Sequence, residues 1–88
     1  MNIEEYRELT ASVFDAIRNY QVCTTERERH YALAVISHVA YEASLARCIN
    51  ANKFDLEQMD RALKLVLDLI KETPIPERSA FELQLALH

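Results

Sequence analysis

Apolar residues and one threonine recur every three or four positions along the first twenty residues of the chain. The recurring set consists of Ile3, Tyr6, Thr10, Val13, Ile17 and Tyr20. Because this spacing places the side chains on one face of an α-helix, it predicts an amphipathic helix over about residues 3–20. Asn2 precedes this helix and Glu5 follows three residues later, an asparagine variant of the capping box, so Asn2 is the predicted N-cap.

A second helical segment begins at another capping-box pattern, formed by Thr25 and Glu28. No proline, glycine or cluster of turn-forming residues follows until about residue 49, so a long helix is predicted over residues 26–49. From Tyr31 onward apolar residues occupy almost every side of this helix, and many of them are alanines. Small side chains let neighbouring helix axes approach to the low end of about 8–10 Å, so we expect this helix to be central and contacted from more than one side.

A turn over residues 50–53 is predicted between the second and third helices. It contains two asparagines, and asparagine adopts the left-handed conformation when glycine is absent. Asp55 is the predicted N-cap of the third helix, with Gln58 as its capping-box partner. Phe54 and Met59 then occupy the positions of a hydrophobic staple, in which the two side chains pack together.

The third helix is predicted over residues 56–72. It ends before Pro74, since proline lacks an amide donor and disfavours a helical conformation in the residue before it. Apolar residues cover about two-thirds of its circumference when each residue is placed about 100° from the last. One neighbouring helix cannot cover so wide an arc, so we expect water on one side only.

The C-terminal segment fits two structures. Ser79 and Glu82 form a capping box and the neighbouring residues are strong helix formers, whereas strict apolar alternation indicates a strand. The alternating residues are Phe81, Leu83, Leu85 and Leu87. We favour a short helix over residues 79–87, because a strand would need another molecule to supply the sheet. The chain is thus predicted to be one all-α domain over residues 1–88, a small antiparallel bundle of three long helices plus a short C-terminal helix or docking tail.

Composition excludes several functional classes. The chain contains no glycine, which disfavours the glycine-dependent loops that hold nucleotides and calcium. The formal net charge of −4 disfavours nucleic-acid binding, because cationic side chains supply most of the affinity for phosphates. No apolar run is long enough to span a membrane, and no basic segment precedes an apolar stretch at the start of the chain. We therefore expect a cytoplasmic protein that does not act in a membrane.

The residues that carry catalytic or metal-binding chemistry do not form a recognisable set. His30 and His38 are eight positions apart, about 12 Å by helical rise, and cannot share one zinc ion. Cys23 and Cys48 lie outside any CxxC pair and are expected to be free thiols without a disulfide. Acidic residues are numerous but fall on predicted solvent faces. We expect no metal, no cofactor and no enzymatic activity.

The remaining feature is an excess of apolar surface. A chain of this size buries only about 60–65% of the surface that its unfolded form exposes. The apolar surface of helices with such wide apolar arcs is more than a bundle of three or four short helices can cover. Leftover apolar patches indicate protein association. The sequence therefore predicts a non-enzymatic protein-interaction module, a small adaptor, chaperone or inhibitor. Its partner is itself, another protein or both, and we expect a homo-oligomer. The candidate contact residues are Tyr31, Tyr41, Leu65, Leu69, Phe81, Leu83, Leu85 and Leu87.

An alternative function is a dimeric DNA-associated regulator. Arg27, Arg29 and His30 cluster at the start of the second helix and could contact phosphates. Glu26 and Glu28 are interleaved with them and weaken the positive potential. This alternative predicts an affinity that falls steeply as salt is added.

Overall fold

A computed structural model describes residues 1–73, and these form three α-helices. The helices are α1 (Ile3–Gln21), α2 (Glu26–Leu45) and α3 (Lys53–Glu72). Each helix contacts both of the others, and no strand occurs among the described residues. The predicted all-α class and small helical bundle are confirmed. The predicted helix over residues 79–87 lies outside the described residues, as do the candidate contacts Phe81, Leu83, Leu85 and Leu87.

The beginning of α1 follows the local sequence. Asn2 has an extended backbone, and its side-chain oxygen accepts a hydrogen bond from the backbone N–H of Glu5 at 2.8 Å. This bond satisfies one of the amide groups that a helix leaves unpaired at its N-terminus. The predicted N-cap is confirmed, and the helix ends one residue beyond the predicted end.

The beginning of α2 is also the predicted one. The Thr25 hydroxyl accepts a hydrogen bond from the Glu28 backbone N–H at 3.1 Å. The Glu28 carboxylate in turn accepts one from the backbone N–H of Thr24 at 3.4 Å, one residue earlier than a standard capping box requires. Both carboxylate and hydroxyl therefore contribute to the start of this helix.

The end of α2 differs from the prediction of a helix over 26–49. The helix ends at Leu45, because Ala46 turns to an extended conformation with ψ of 138°. The guanidinium of Arg47 then donates to the carbonyl oxygens of Ser44 at 3.4 Å and Ala46 at 2.9 Å. A side chain thus satisfies carbonyl groups that the helix end leaves unpaired, so neither glycine nor proline is needed to stop it.

The start of α3 also corrects the prediction. Asn52 is the N-cap and Asp55 is the third residue of the helix, and the two form a reciprocal capping box. The helix therefore begins at Lys53, three residues before the predicted position. The expected left-handed asparagine is wrong as well, because none of residues 1–73 has a positive φ.

Replacing Asn52 by alanine is expected to lower the free energy of unfolding by about 1 kcal/mol, because the amide oxygen that receives the Asp55 N–H is lost. Urea unfolding followed by circular dichroism measures the change. Asn50→Ala in the preceding turn is the matched control, since Asn50 caps no helix. Equal losses in the two variants would place the start of α3 elsewhere.

The core lies along the axis that the three helices share. It consists of Tyr6, Val13, Ala16, Ile17, Leu33, Ile36, Ala40, Ala43, Met59, Ala62, Val66 and Ile70. Four of these are alanines, in keeping with close helix packing. Two buried hydroxyls donate to carbonyls one turn earlier, Thr10 to Tyr6 at 3.0 Å and Ser37 to Leu33 at 2.9 Å. No buried side-chain polar atom of the described residues lacks a partner.

The three helices of residues 1–73 are 19 or 20 residues long. None of those in residues 1–73 combines the length and the apolarity that crossing a membrane requires.

Candidate functional site

A salt bridge fixes α1 against α3. Arg7 donates to Asp55 twice, from Nε to Oδ1 at 2.9 Å and from Nη2 to Oδ2 at 3.4 Å. The Asn52 backbone N–H also donates to Oδ2, at 3.2 Å. The Asp55 side chain is only 4% exposed, and the hydrogen bond from Arg7 is the main reason that the pKa of this carboxyl lies below its ordinary value. One carboxylate therefore closes the cap of α3 and joins it to α1.

Beside this salt bridge a groove lined by apolar and charged residues follows the outer seam between α1 and α3. It contains two cavities, one of about 260 Å³ beside Phe54 and one of about 400 Å³ beside Leu65 and Leu69. Phe14 of α1 is half-buried and lines both cavities. We call the surface formed by Phe14, Phe54, Leu65 and Leu69 the α1–α3 groove.

The predicted contact residues within residues 1–73 do not form one surface. Leu65 and Leu69 lie together in the α1–α3 groove. Tyr31, which is 74% exposed, lines a separate cavity of about 390 Å³ between α1 and α2. Tyr41 is half-buried and lines a third cleft, together with Leu45 near the end of α2. The structure thus brings two of these four residues together.

Sequence reasoning missed the two phenylalanines of the groove. Phe54 was expected to pack on Met59, but Met59 is buried in the core whereas Phe54 is 66% exposed. The pattern that identifies Phe54 is its distance from Leu65. Eleven residues of α-helix bring two side chains within about 20° of the same direction, so both lie on one face of α3.

The titratable residues elsewhere form local surface pairs. His38 Nε2 lies 2.9 Å from Glu42, and His30 Nε2 lies 3.9 Å from Glu26. Cys23 is a free thiol that donates to the Asn19 carbonyl at 3.1 Å. Among residues 1–73 no three histidine, cysteine, aspartate or glutamate side chains are grouped so as to hold a metal ion. The absence of metal, cofactor and enzymatic activity stays a prediction.

The three cationic residues at the start of α2 lie in different surroundings and do not form one patch. Arg27 lines the same cavity as Tyr31, Arg29 is half-buried, and His30 faces Glu26. Phosphate binding needs several cations on one accessible strip. The DNA-binding alternative stays a prediction, with no contact in residues 1–73 that favours it.

Comparison with known proteins gives no match: no family model, no curated protein and no solved structure is similar to this chain. Its function is therefore inferred from the surface that residues 1–73 present. In the α1–α3 groove two exposed apolar residues of α3, Phe54 and Leu65, lie beside half-buried Phe14 of α1.

Proposed function

We propose that this protein is a non-enzymatic protein-interaction module, a small adaptor, chaperone or inhibitor, that contacts its partner through the α1–α3 groove. The observation that carries this proposal is the exposure of large apolar side chains on one face of α3. Phe54 is 66% exposed and Leu65 is 38% exposed. Both share a cavity with half-buried Phe14, and Leu65 also lies beside half-buried Leu69. Contiguous apolar patches of this kind mark protein-association sites.

The free energy of apolar burial favours a partner at this face. Removing a side chain as large as phenylalanine or leucine from water is worth about 1.5–3 kcal/mol. Aromatic residues beside a receptive cavity are also the usual anchors of protein interfaces. Here the aromatic residue and the cavities of about 260 and 400 Å³ lie along the same seam.

The borders of the groove have the composition of an interface rim. Arg18, Asp68 and Glu72 line the cavity beside Leu65. An apolar centre with a charged border is typical of specific protein interfaces, since the border stays in water while the centre becomes dry. The border carries both signs of charge, which favours a partner that also carries both.

The structural role of the Arg7–Asp55 salt bridge supports a non-enzymatic function. The Asp55 carboxylate receives three hydrogen bonds, two from Arg7 and one from Asn52, all of which stabilise helix ends or helix packing. Three of about four lone-pair positions of this carboxylate are therefore used within the fold. The proposal places the protein in the cytoplasm, where free thiols such as Cys23 stay reduced.

Replacing Leu65 by serine is expected to lower the fluorescence of bound 8-anilinonaphthalene-1-sulfonate at least twofold, because the dye binds exposed apolar surface and the variant removes the centre of the groove. The measurement is a dye titration of a dilute sample, with circular dichroism to confirm the helix content.

The matched control is Leu67→Ser. Leu67 is 54% exposed on the same helix, but it lies about 160° away from Leu65 and lines no part of the groove. The proposal fails if the wild type binds no dye and remains a strict monomer at millimolar concentration. Equal losses from both variants would assign dye binding to some other surface.

A further inference from the structure

The charged residues on the exposed side of α3 are arranged antisymmetrically about the middle of the helix. From Lys53 to Asp68 they are, in chain order, Lys53, Glu57, Asp60, Arg61, Lys64 and Asp68, and Lys71 and Glu72 follow in the last turn. The signs of the first six are positive, negative, negative, positive, positive and negative. A second α3 running in the opposite direction, with the centre between Asp60 and Arg61, therefore meets each of the six charges from Lys53 to Asp68 with the opposite charge. Lys71 and Glu72 extend beyond the start of the facing helix. Lys53 faces Asp68, and Glu57 faces Lys64.

Four of these residues form one stripe that is open to a facing helix. Lys53, Glu57, Lys64 and Asp68 fall within about 60° of arc when each residue turns the helix by about 100°. The side chains of Lys53, Glu57 and Lys64 are 91%, 60% and 71% exposed. Among residues 1–73 they make only exposed pairs one turn apart, Lys53 with Glu57 at 3.9 Å and Lys64 with Asp60 at 3.0 Å. Such pairs contribute little to stability and can be exchanged for contacts with a partner.

The apolar residues beside this stripe match in the same register. Phe54 and Leu65 both lie on the α1 side of the stripe. When two antiparallel helices are related by a two-fold axis perpendicular to both, the same side of each helix meets the same side of the other. The register that pairs Lys53 with Asp68 then places Phe54 opposite the position midway between Leu65 and Leu69 of the second copy. Those two leucines line the cavity of about 400 Å³.

We infer that the partner of the α1–α3 groove is a second copy of this chain, whose α3 packs antiparallel against the first in the register centred between Asp60 and Arg61. This inference rests on the proposed function, because it identifies the occupant of that groove. A parallel pair in register is disfavoured, since it sets Lys53 against Lys53 and Glu57 against Glu57. The antiparallel pair buries the exposed Phe54 of each copy at the same time.

A charge-swap series tests the register. Glu57→Lys sets two lysines against each other at both symmetric positions, and Lys64→Glu sets two glutamates against each other. We expect each single variant to raise the dimer dissociation constant at least tenfold. The double variant Glu57→Lys/Lys64→Glu restores opposite charges at both positions, so we expect its dissociation constant to return to within about threefold of the wild type. Sedimentation equilibrium of the full chain, whose monomer mass is 10.2 kDa, measures these constants.

The control is Glu8→Lys, which makes the same change of charge on the α2 side of α1, away from α3. It is expected to leave the dissociation constant unchanged, and thermal unfolding of every variant separates a loss of folding from a loss of association. Failure of the double variant to recover overturns the antiparallel second copy. A wild type that stays monomeric while Leu65→Ser still reduces dye binding overturns the second copy but leaves the proposed function in place. The absence of both association and dye binding overturns both.

Discussion

Replacing Ile36 by alanine is expected to lower the free energy of unfolding by about 2–5 kcal/mol. Ile36 is 1% exposed and belongs to the core cluster to which all three helices contribute. The substitution removes apolar atoms from a packed interior, and the backbone of a central helix cannot move inward to fill the space. Urea unfolding monitored by circular dichroism measures the loss.

The loss expected from Ile36→Ala is a large fraction of the protein's total free energy of unfolding. At about 0.05–0.15 kcal/mol per residue, a chain of this length has a total stability of about 4–13 kcal/mol. The matched control is Ile49→Ala, since Ile49 is 100% exposed in the connection after α2. Its effect is expected to stay within about 0.5 kcal/mol. Similar losses in the two variants would mean that the core is not organised around Ile36.

The helix starts could be predicted where the chemistry is local. Asn2 and Thr25 each cap a helix through an amide three residues further along the chain, and both predictions are confirmed. The start of α3 has two overlapping capping patterns, one from Asn52 and one from Asp55. The structure uses the first, since the Asp55 carboxylate is also held by Arg7, 48 positions away. A contact at that distance along the chain leaves no pattern in the local sequence.

The end of α2 was missed for a related reason. Sequence rules look for glycine or proline at helix ends, and neither occurs between residues 45 and 52. The Arg47 side chain satisfies the exposed carbonyls instead. An arginine is not a specific marker of this arrangement, because its side chain adopts it only after the chain has turned.

The groove could be predicted in part. Periodicity identifies which residues of α3 are apolar, and Leu65 and Leu69 were selected on that basis. Which apolar residues stay uncovered depends on how each helix is rotated within the bundle. The rotation of α3 buries Met59 and leaves Phe54 exposed. The rotation of α2 places Tyr31 between α1 and α2, whereas Leu65 lies between α1 and α3.

Acidification is expected to destabilise the protein through Asp55. The pKa of this carboxyl is lowered from its ordinary value of 3.8, because the Arg7 guanidinium donates two hydrogen bonds to the charged form and the Asn52 N–H donates a third. In the unfolded chain the same carboxyl takes up a proton at a higher pH than in the folded protein. Its contribution to stability is therefore complete above about pH 4 and is lost as the pH falls through the folded value.

Two variants test this linkage. Asp55→Asn is expected to lower the melting temperature at pH 7 and to flatten its dependence on pH below about 4, since no charge remains to be titrated at this position. Arg7→Gln removes the main donor from a carboxyl that stays 4% exposed in the folded wild type, so it is expected to raise the pKa of Asp55 and to move the acid-induced loss to higher pH.

Thermal unfolding between pH 2 and about 7, with carboxyl NMR titration of Asp55, measures both effects. Asp15→Asn is the control, since Asp15 is 65% exposed in an intrahelical pair and the substitution is expected to change the melting temperature little at any pH. If Asp55→Asn kept the full acid-induced loss of the wild type, another carboxyl would be responsible. The reciprocal cap and salt bridge would then be geometric features of α3 without a measurable share in holding α1 against it.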